Sequence, residues 1–397
     1  VERIDIKGNL RTVDEVIRRG FRVVEGDAFN ASKLRRSLRR IQGLNYFEKV
    51  AIDQVPGSEA DKVVVKAEVE EKSTGSFSVG LGFSSTYGPL GDLAIRERNL
   101  LGRGHDLKLG LTIAAKQSEI DLSFTEPYFL GRELTAGFDI FRTQTDLQDT
   151  RSHDSEETGL ALRAGYPITE DLTQGWTYGL KLTEITDVDK SASQLIKDQS
   201  GSELISQVVH RLTYDRRDSR VLPTDGYVVR LTNDLAGLGG SVRHVRNAVD
   251  AGMFYTLADQ WILSVTGTAG YIIGLGEDVL FSQRFFIGGD DLRGFANNGV
   301  GPRDKSTDDA LGGEWAYTGT VELSFPIGLP TALGVSGRVF TDVGSLGKIE
   351  PSTGNVNDTG SIRAALGTGV TWTSPVGLIG LDIGVPVLKE NFDETER

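Results

Sequence analysis

The chain of 397 residues contains no cysteine, which excludes disulfide bonds, thiolate catalysis and Cys-ligated metal sites. It also lacks any run near the roughly 18 consecutive apolar residues that a membrane-spanning helix requires, so a helical membrane topology is excluded. No basic segment followed by an apolar one opens the chain, so the N-terminus is not a signal peptide. If the protein is exported, we expect its true start to lie upstream of Val1.

Enzyme signatures are equally scarce. The chain has four histidines with no metal-ligand spacing, no phosphate-binding Gly-Lys-Ser/Thr loop and no Gly-x-Ser-x-Gly elbow. We therefore expect no catalytic residue, no cofactor and no metal. A net charge of −13 argues against a nucleic-acid partner. Much of the acid falls in the segments 146–157 and 304–309, which are predicted to be solvated loops, and the pairs at 290–291 and 308–309 are interpreted as loop charge.

Residues 1–72 have the pattern of a small α/β domain. The segment 1–6 alternates as a strand, and Thr12 to Glu15 has the sequence of a capping box that would begin a helix. A second helix is predicted from Asn30, with Gly43 as its C-cap. Two further strands are expected near 47–54 and 62–70. The predicted order is strand, helix, helix, strand, strand.

From residue 73 to the end, the apolar period changes from 3.6 to 2. Apolar residues alternate with small or charged ones in many runs, among them Leu107, Leu109, Leu111 and Ile113; Trp176, Tyr178, Leu180 and Leu182; Ile379, Leu381, Ile383 and Val385. A soluble β-sandwich could alternate too. However, many runs reach the roughly 9–11 residues of a tilted spanning strand, and aromatic residues sit near strand ends. No second sheet or helix is available to cover the apolar faces. A transmembrane β-barrel is therefore favoured.

About fifteen strands are predicted between Ser76 and Leu388. Single-chain bacterial barrels have even strand numbers, because an unpaired backbone edge in lipid is costly. Either two strands are merged in this count or one is missing. The tail 389–397 is interpreted as a polar turn that should lead into another strand.

An ordered series of motifs resembles the BamA-type outer-membrane assembly family along essentially the whole chain. Residues 4–19 resemble the opening of the barrel-proximal POTRA domain. Barrel segments of the family are similar to Asn99–Gly104, Thr125–Phe129, Tyr214–Tyr227, Gly288–Phe295 and Ser374–Gly377 with Pro386. The resemblance implies a POTRA domain at 1–72 and a 16-stranded outer-membrane β-barrel at 73–397, with its last strand apparently missing here.

In the family, a loop bearing Arg-Gly-Phe folds back into the barrel lumen. The resemblance places this lumenal loop at about 275–311, with the motif at Leu292, Arg293, Gly294 and Phe295. It implies that Arg293 pairs with inner-wall carboxylates, by position Glu322 and Asp342. The alternation agrees, because Glu322 lies between two lipid-phase residues and Asp342 shares its phase with Arg338. From the residues alone, a solvated Arg293 would be the simpler interpretation.

The family likeness implies an insertase that folds and inserts β-barrel proteins through a lateral seam between its first and last strands. The first strand would span about 75–85, and the seam residues would be Gly75, Phe77, Val79, Gly80, Leu81, Gly82 and Phe83. Glycines weaken a strand, and an edge that opens can accept a client strand. The implied partners are unfolded outer-membrane clients, accessory lipoproteins on the periplasmic side and outer-membrane lipid. The implied location is the bacterial outer membrane, with the POTRA domain in the periplasm.

Two other functions remain open from the sequence. A two-partner-secretion-type transporter would export a polypeptide through the lumen, but such proteins typically have a plug helix and two POTRA domains. A passive porin would need neither a POTRA domain nor the Arg-Gly-Phe loop. An upstream segment would discriminate the transporter from the insertase.

Overall fold

A computed structural model describes residues 1–84, 87–350, 354–374 and 377–396. Ser85, at the end of the predicted first barrel strand, lies outside these residues, as do Pro375 and Val376 of a family motif and Arg397 of the tail. The chain forms two compact units. One comprises Val1–Leu81, Gly91–Ile113 and Ile120–Ile140, and the other Gly82–Leu90, Ala114–Glu119 and Phe141–Arg397.

The N-terminal part of the first unit is a three-stranded sheet with two helices, and the predicted element order is confirmed. Its elements are β1 (Arg3–Lys7), α1 (Asp14–Arg18), α2 (Ala31–Gly43), β2 (Phe47–Pro56) and β3 (Val63–Glu71). The strand order is β1-β3-β2, with β1 parallel and β2 antiparallel to β3. Alternate residues of the strands and one face of each helix bury a core around Ile17, Ile41, Val65 and Ala67.

Helix α2 begins as the sequence predicts but ends differently. The Asn30 side chain accepts hydrogen bonds from the backbone N–H of Ser32 at 2.9 Å and of Lys33 at 3.0 Å, which satisfies two free helix donors. The predicted C-cap at Gly43 is wrong. Gly43 is the last helical residue, Leu44 is the C-cap, and the left-handed conformation falls on Asn45 with φ 61°. Asparagine tolerates this region better than most residues do, so a glycine is not required there.

The capping box predicted at Thr12 to Glu15 is also wrong. The N-cap of α1 is Val13, which has no side-chain cap. The buried Thr12 hydroxyl instead accepts a hydrogen bond from the Asn99 amide at 2.8 Å, and Glu15 pairs with Arg19 at 3.2 Å. The capping box does not form because a carboxylate from outside the helix already accepts the backbone N–H group of Thr12. The Glu71 carboxylate accepts the consecutive backbone N–H groups of residues 10, 11 and 12, at 3.2, 2.9 and 2.6 Å.

Glu71→Gln is expected to loosen the segment 10–12. Burial raises the pKa of Glu71, but the hydrogen bonds from Thr12 and its two neighbours outweigh burial and hold this pKa below its ordinary value. The stabilisation is therefore present above the ordinary glutamate pKa and lost as pH falls through the lower folded-state pKa. We expect the amides of residues 10–12 to exchange about tenfold faster at neutral pH. This factor corresponds to a loss of about 1.5 kcal/mol, the low end for hydrogen bonds to a charged group, because Glu71 is partly exposed.

Hydrogen exchange measured by mass spectrometry, corrected for the intrinsic pH dependence, tests this expectation. The neighbouring Glu70→Gln removes the same charge from the opposite face of β3 and serves as the control. Equal exchange of residues 10–12 in the two variants would contradict the clamp.

In the described part of residues 73–397, fifteen strands form one large sheet, which confirms the predicted number. In chain order, its strands are β4 (Gly75–Ser84), β5 (Gly88–Leu100), β6 (His105–Ala114), β7 (Gln117–Glu126), β8 (Thr135–Asp146), β9 (Asp154–Pro167), β10 (Leu172–Thr186), β11 (Gly201–Asp215), β12 (Gly226–Gly240), β13 (His244–Ala258), β14 (Trp261–Gly274), β16 (Trp315–Pro326), β17 (Val335–Gly347), β19 (Arg363–Ser374) and β20 (Gly377–Leu388). Each pairs with its neighbours in this sequence, and β4 and β20 are the two ends of the described order. The ladders from β9 to β20 are antiparallel.

Apolar residues alternate along these strands and stay exposed on one face. On β20, Leu381 and Ile383 are 73% and 66% exposed, whereas Asp382 between them lies on the face that carries polar and small residues. Such an exposed apolar face is expected where strands contact lipid. Among the described residues, no helix is both long enough and apolar enough to cross a membrane.

The remaining elements lie in the connections between these strands. Two short helices, α3 (Gln148–Arg151) and α4 (Gln194–Lys197), follow β8 and β10. The connection from β14 to β16 contains two 3-10 turns and β15 (Arg303–Asp304), which pairs with β18 (Val356–Asn357) in the connection from β17 to β19. The connection from β14 to β16 contains the predicted loop 275–311.

Candidate functional site

The Leu-Arg-Gly-Phe motif at 292–295 is held by two apolar anchors. Leu292 and Phe295 are both 0% exposed and pack with Ile287, Val300, Leu346 and Ala365. Leu346 and Ala365 belong to β17 and β19, so these anchors fix the segment against the polar face of the sheet. Burying two such side chains contributes on the order of 1.5–3 kcal/mol each.

Gly294 allows a close approach to β20. It has φ +90°, which favours glycine, and a Cβ added there would lie 2.8 Å from the carbonyl oxygen of Gly384. The approach is reciprocal, because a Cβ on Gly384 would lie 2.8 Å from the carbonyl carbon of Arg293. Two glycines, one in the loop and one in the strand, therefore bring the arginine to the sheet.

Arg293 binds Asp342 through its side chain and its backbone. Its Nε and Nη2 donate to the two oxygens of Asp342 at 2.7 and 2.8 Å, and its backbone N–H donates at 3.2 Å. The Asp342 side chain is 1% exposed and also accepts from the Thr320 hydroxyl at 2.8 Å. This is the bidentate geometry that a planar guanidinium offers a carboxylate.

The third nitrogen of Arg293 reaches two more carboxylates. Nη1 donates to Glu322 at 3.1 Å and to Asp382 at 3.0 Å. Asp382 also accepts from Arg338 Nε at 2.6 Å. Three carboxylates on β16, β17 and β20 thus share two guanidiniums, and the guanidinium of Arg293 additionally stacks on Phe340, 3.2 Å from its ring centroid.

The structure therefore brings Arg293 together with both carboxylates expected from the sequence, and it adds Asp382. We name Arg293, Arg338, Glu322, Asp342 and Asp382 the arginine cluster. The sequence contained a signal for Asp382, because this charged residue lies between the apolar Leu381 and Ile383 and so points away from lipid. Alternation could not show that Asp382 pairs with Arg293, because only the path of the loop brings Arg293 to β20.

The tail after β20 makes contacts that the sequence did not predict. Backbone N–H groups of Ala296 and Glu396 donate to the carbonyls of Glu394 and Gly294 at 3.0 and 3.1 Å, and Phe295 forms a bridge with Thr395. The interpretation of 389–397 as a polar turn missed this pairing with the motif segment. We name residues 389–396 the tail segment.

Two ion pairs fasten the tail segment. Arg363 at the start of β19 binds Asp393 through two hydrogen bonds of 2.9 and 3.0 Å, and both side chains are fully buried. Arg303, 1% exposed, donates to Glu394 at 2.8 Å. Arg363 and Arg303 have the largest side chains among the fully buried residues of the described chain.

The prediction that segment 304–309 is a solvated loop is wrong for two of its aspartates. Asp304 and Asp309 are 6% and 4% exposed. Asp304 accepts from the Ser193 hydroxyl at 2.7 Å, and Asp309 accepts from the Ser152 hydroxyl and the Ser193 backbone N–H, both at 2.6 Å. These donors compensate for burial, so the acids join three connections of the sheet. Asp308 is 68% exposed, as predicted.

The predicted seam residues all lie on β4. Phe77, Val79, Leu81 and Phe83 are 62–90% exposed on one face, while Gly80 and Gly82 are on the other. Gly80 has free space, because an added Cβ would meet only Asp92 atoms, the nearest at 3.6 Å. In the described ranges, no group of three or more His, Asp or Glu side chains is arranged to hold a metal ion.

Comparisons with known proteins agree on one family. A model described as "Omp85 superfamily domain" matches residues 99–397, and the POTRA model, described as "Surface antigen variable number repeat", matches residues 1–72. The chain is similar to proteins named "Outer membrane protein assembly factor BamA". It is 32% identical to that of Neorickettsia risticii and 31% identical to that of Nitratidesulfovibrio vulgaris. These alignments cover 100% and 98% of this chain but 54% and 48% of the relatives, so the chain spans about half their length.

A solved structure supports the same fold. BamA from Haemophilus ducreyi lacking POTRA domains 1–3 aligns with a TM-score of 0.87 over 100% of this chain and 82% of that one, at 22% identity.

Proposed function

Because the chain belongs to the Omp85 superfamily, we propose that it is the membrane part of an insertase that folds β-barrel proteins into the outer membrane. It is a protein of the bacterial outer membrane, with its POTRA domain on the periplasmic side. The activity would need no bond chemistry. Its clients would be unfolded outer-membrane proteins, and its other partners accessory lipoproteins and outer-membrane lipid.

The observation that carries this proposal is the braced wall, by which we mean the strands β16, β17 and β20 together with the loop that Arg293 binds to them. The arginine cluster ties the loop to β16, β17 and β20, the last of which is an end strand of the described sheet. We infer that the segment 275–311 occupies the lumen and fixes the wall on this side of a lateral seam. The seam can then open at the other strand while this wall keeps its shape.

The mobile side of the seam would be β4. Its glycines at 75, 80 and 82 lack side chains that would pack, and glycine inside a strand lowers strand stability. The exposed apolar face of β4 would remain in lipid during opening. The backbone N–H and C=O groups that β4 exposes when the seam opens could then pair with a client strand by β-augmentation.

The two-partner-secretion alternative receives less support. The two relatives that align with nearly the whole of this chain at 31–32% identity carry the name of an assembly factor. The loop is held by four side-chain hydrogen bonds from Arg293 to its three carboxylate partners. It would have to leave before a polypeptide could pass through the lumen.

Client folding in liposomes tests the insertase, with Gly80→Thr as the informative variant. We expect the protein, supplied with its accessory lipoproteins, to accelerate the appearance of the folded, heat-modifiable form of an unfolded barrel client. Threonine fits the polar face and should stabilise β4 by about 0.5–1 kcal/mol, which slows client folding about two- to fivefold while the barrel becomes more heat-stable.

The matched control is Gly175→Thr, on the polar face of the interior strand β10, where an added Cβ meets only Ala164 oxygen at 3.9 Å. It should leave client folding unchanged. No acceleration over empty liposomes would overturn the insertase proposal. If the protein accelerates client folding and Gly80→Thr does not change that rate, the insertase proposal stands and only the proposed role of β4 is refuted.

A further inference from the structure

Helix α2 of the POTRA domain carries an unbalanced basic face. Its 13 residues include five cations, Lys33, Arg35, Arg36, Arg39 and Arg40, and no acid, in a chain of net charge −13. Arg35, Arg36 and Arg39 are exposed, and in the described chain none of the three forms an ion pair. Like charges at i,i+4, as in 35–39 and 36–40, destabilise a helix, so this arrangement is not explained by the stability of α2.

The opposite face of the same domain is built differently. On the exposed side of the sheet, Lys66 lies between Asp5 and Asp53, Lys7 is opposite Glu68, and Lys49 is opposite Glu70. Every one of these lysines has an acidic cross-strand neighbour. The excess positive charge is therefore specific to α2, where only the flanking Lys33 and Arg40 have acidic partners, Asp27 and Glu133.

Contacts of α2 with a strand turn place this basic face beside the membrane interface. Arg40 donates to the Tyr128 hydroxyl at 2.8 Å and to Glu133 at 2.9 Å, both in the turn from β7 to β8. The tip of this turn exposes Leu130 at 76%, as the turn from β5 to β6 exposes Leu101 at 83%. Apolar residues exposed where spanning strands end lie at the interface between hydrocarbon and water.

The remaining arginines are within electrostatic range of that interface. Arg36 is one helical turn before Arg40 and so on the same side of α2, about 6 Å away along the axis at 1.5 Å per residue. Along the same axis, Arg39 is about 1.5 Å and Arg35 about 7.5 Å from Arg40. These separations are below the Debye length of about 8 Å at physiological salt, so the four guanidiniums act as one patch of positive charge.

We propose that Arg35, Arg36 and Arg39 dock the POTRA domain on anionic phospholipid headgroups of the periplasmic leaflet of its own membrane. The guanidiniums bind headgroup phosphates, while Leu101 and Leu130 enter the interface beside them. Docking would fix the domain next to the barrel rim. This inference goes beyond the proposed insertase, because it requires the barrel in a bilayer and no client.

Spin labelling of the intact protein tests the proposal, and the absence of native cysteine makes a single label specific. A nitroxide at Gln42→Cys, on the exposed side of α2, reports access of a water-soluble relaxation agent. The protein is placed in nanodiscs of phosphatidylcholine alone or with a minority of phosphatidylglycerol. We expect lower access with phosphatidylglycerol, restored near 1 M salt, where the Debye length is about 3 Å.

The variant R35Q/R36Q/R39Q should abolish this protection. Each basic residue near an anionic leaflet contributes about a fivefold factor, so the ratio of docked to undocked domain should fall roughly 100-fold. Glutamine is a good helix former, and the substitution removes like-charge repulsion, so α2 should persist. The matched control K7Q/K49Q/K66Q removes the same charge from the sheet face and should keep the protection.

Equal access in the two lipid compositions would overturn the proposal. So would protection that appears only when an accessory protein is added and is independent of lipid charge, because the partner of α2 would then be an acidic protein surface. Client folding plays no part in this readout, so failure of the insertase proposal would be recognised separately.

Discussion

Arg293→Ala is expected to lower the stability of the barrel by about 3 kcal/mol, the lower end for breaking a buried ion pair, because Arg293 keeps 16% exposure. The variant leaves Glu322, Asp342 and Asp382 facing one remaining guanidinium, that of Arg338. Asp342 suffers most, since its side chain is 1% exposed and loses both hydrogen bonds from the guanidinium. Unpaired buried carboxylates are costly, and here they also repel one another.

The temperature at which the folded barrel loses its heat-modifiable gel mobility measures this loss. At about 2 °C per kcal/mol for a large domain, the midpoint should fall by roughly 6 °C. Trypsin provides a local readout, because Arg284 and Arg303 within the loop are 5% and 1% exposed and should become cleavable once the loop is released. Client folding should slow in parallel if the braced wall serves the proposed insertase.

Two further variants separate charge from geometry. Arg293→Lys keeps the charge but cannot form the planar fork, so an intermediate midpoint is expected. Arg220→Ala removes an arginine that is 81% exposed in the turn after β11 and should leave the midpoint unchanged. A wild-type midpoint together with wild-type trypsin resistance in Arg293→Ala would refute the role of the cluster as a brace.

Asp393→Ala is expected to detach the tail segment from the motif. It leaves the guanidinium of Arg363 fully buried, with the Nη1 hydrogen bond to the Ser361 carbonyl at 2.6 Å as its remaining hydrogen bond in the described structure. Removing one member of a buried pair costs about 3–5 kcal/mol. The backbone hydrogen bonds of residues 294, 296 and 299 with the tail segment should then open together.

Hydrogen exchange at Ala296, Glu394 and Glu396 reports this opening. At about 1.4 kcal/mol per tenfold change, we expect these amides to exchange at least 100-fold faster. Glu396→Ala, at an exposed position two residues beyond Glu394, is the control and should have little effect.

A paired replacement tests whether charge itself is needed. Buried ion pairs exchanged for apolar residues of similar volume often retain stability, so Arg363→Met with Asp393→Leu should recover much of the protection. Unchanged exchange in Asp393→Ala would show that the tail segment is held by its backbone bridge alone.

The periodic features of this protein can be read from its residues alone. The alternation of apolar residues predicted fifteen strands and the face on which Glu322, Asp342 and Asp382 lie, because side chains along a strand alternate strictly between two faces. The helical spacing, with the second helix starting near Asn30, and the alternation of the strands predicted the POTRA elements in their order. Such patterns depend on residues a few positions apart, and the chain encodes them locally.

Contacts between distant residues, in contrast, depend on the folded path of the chain. Thr12 and Glu15 have a capping-box sequence, but Glu71, about sixty residues away, supplies a better acceptor for the backbone of residues 10–12. Asp304 and Asp309 look like loop charge, yet the path of the chain brings Ser152 and Ser193 to them. The third partner of Arg293 and the buried Arg363–Asp393 pair have the same origin. A buried charge needs compensation from whichever donor or acceptor lies nearest in space, and that neighbour is fixed by the path of loops that carry no periodicity.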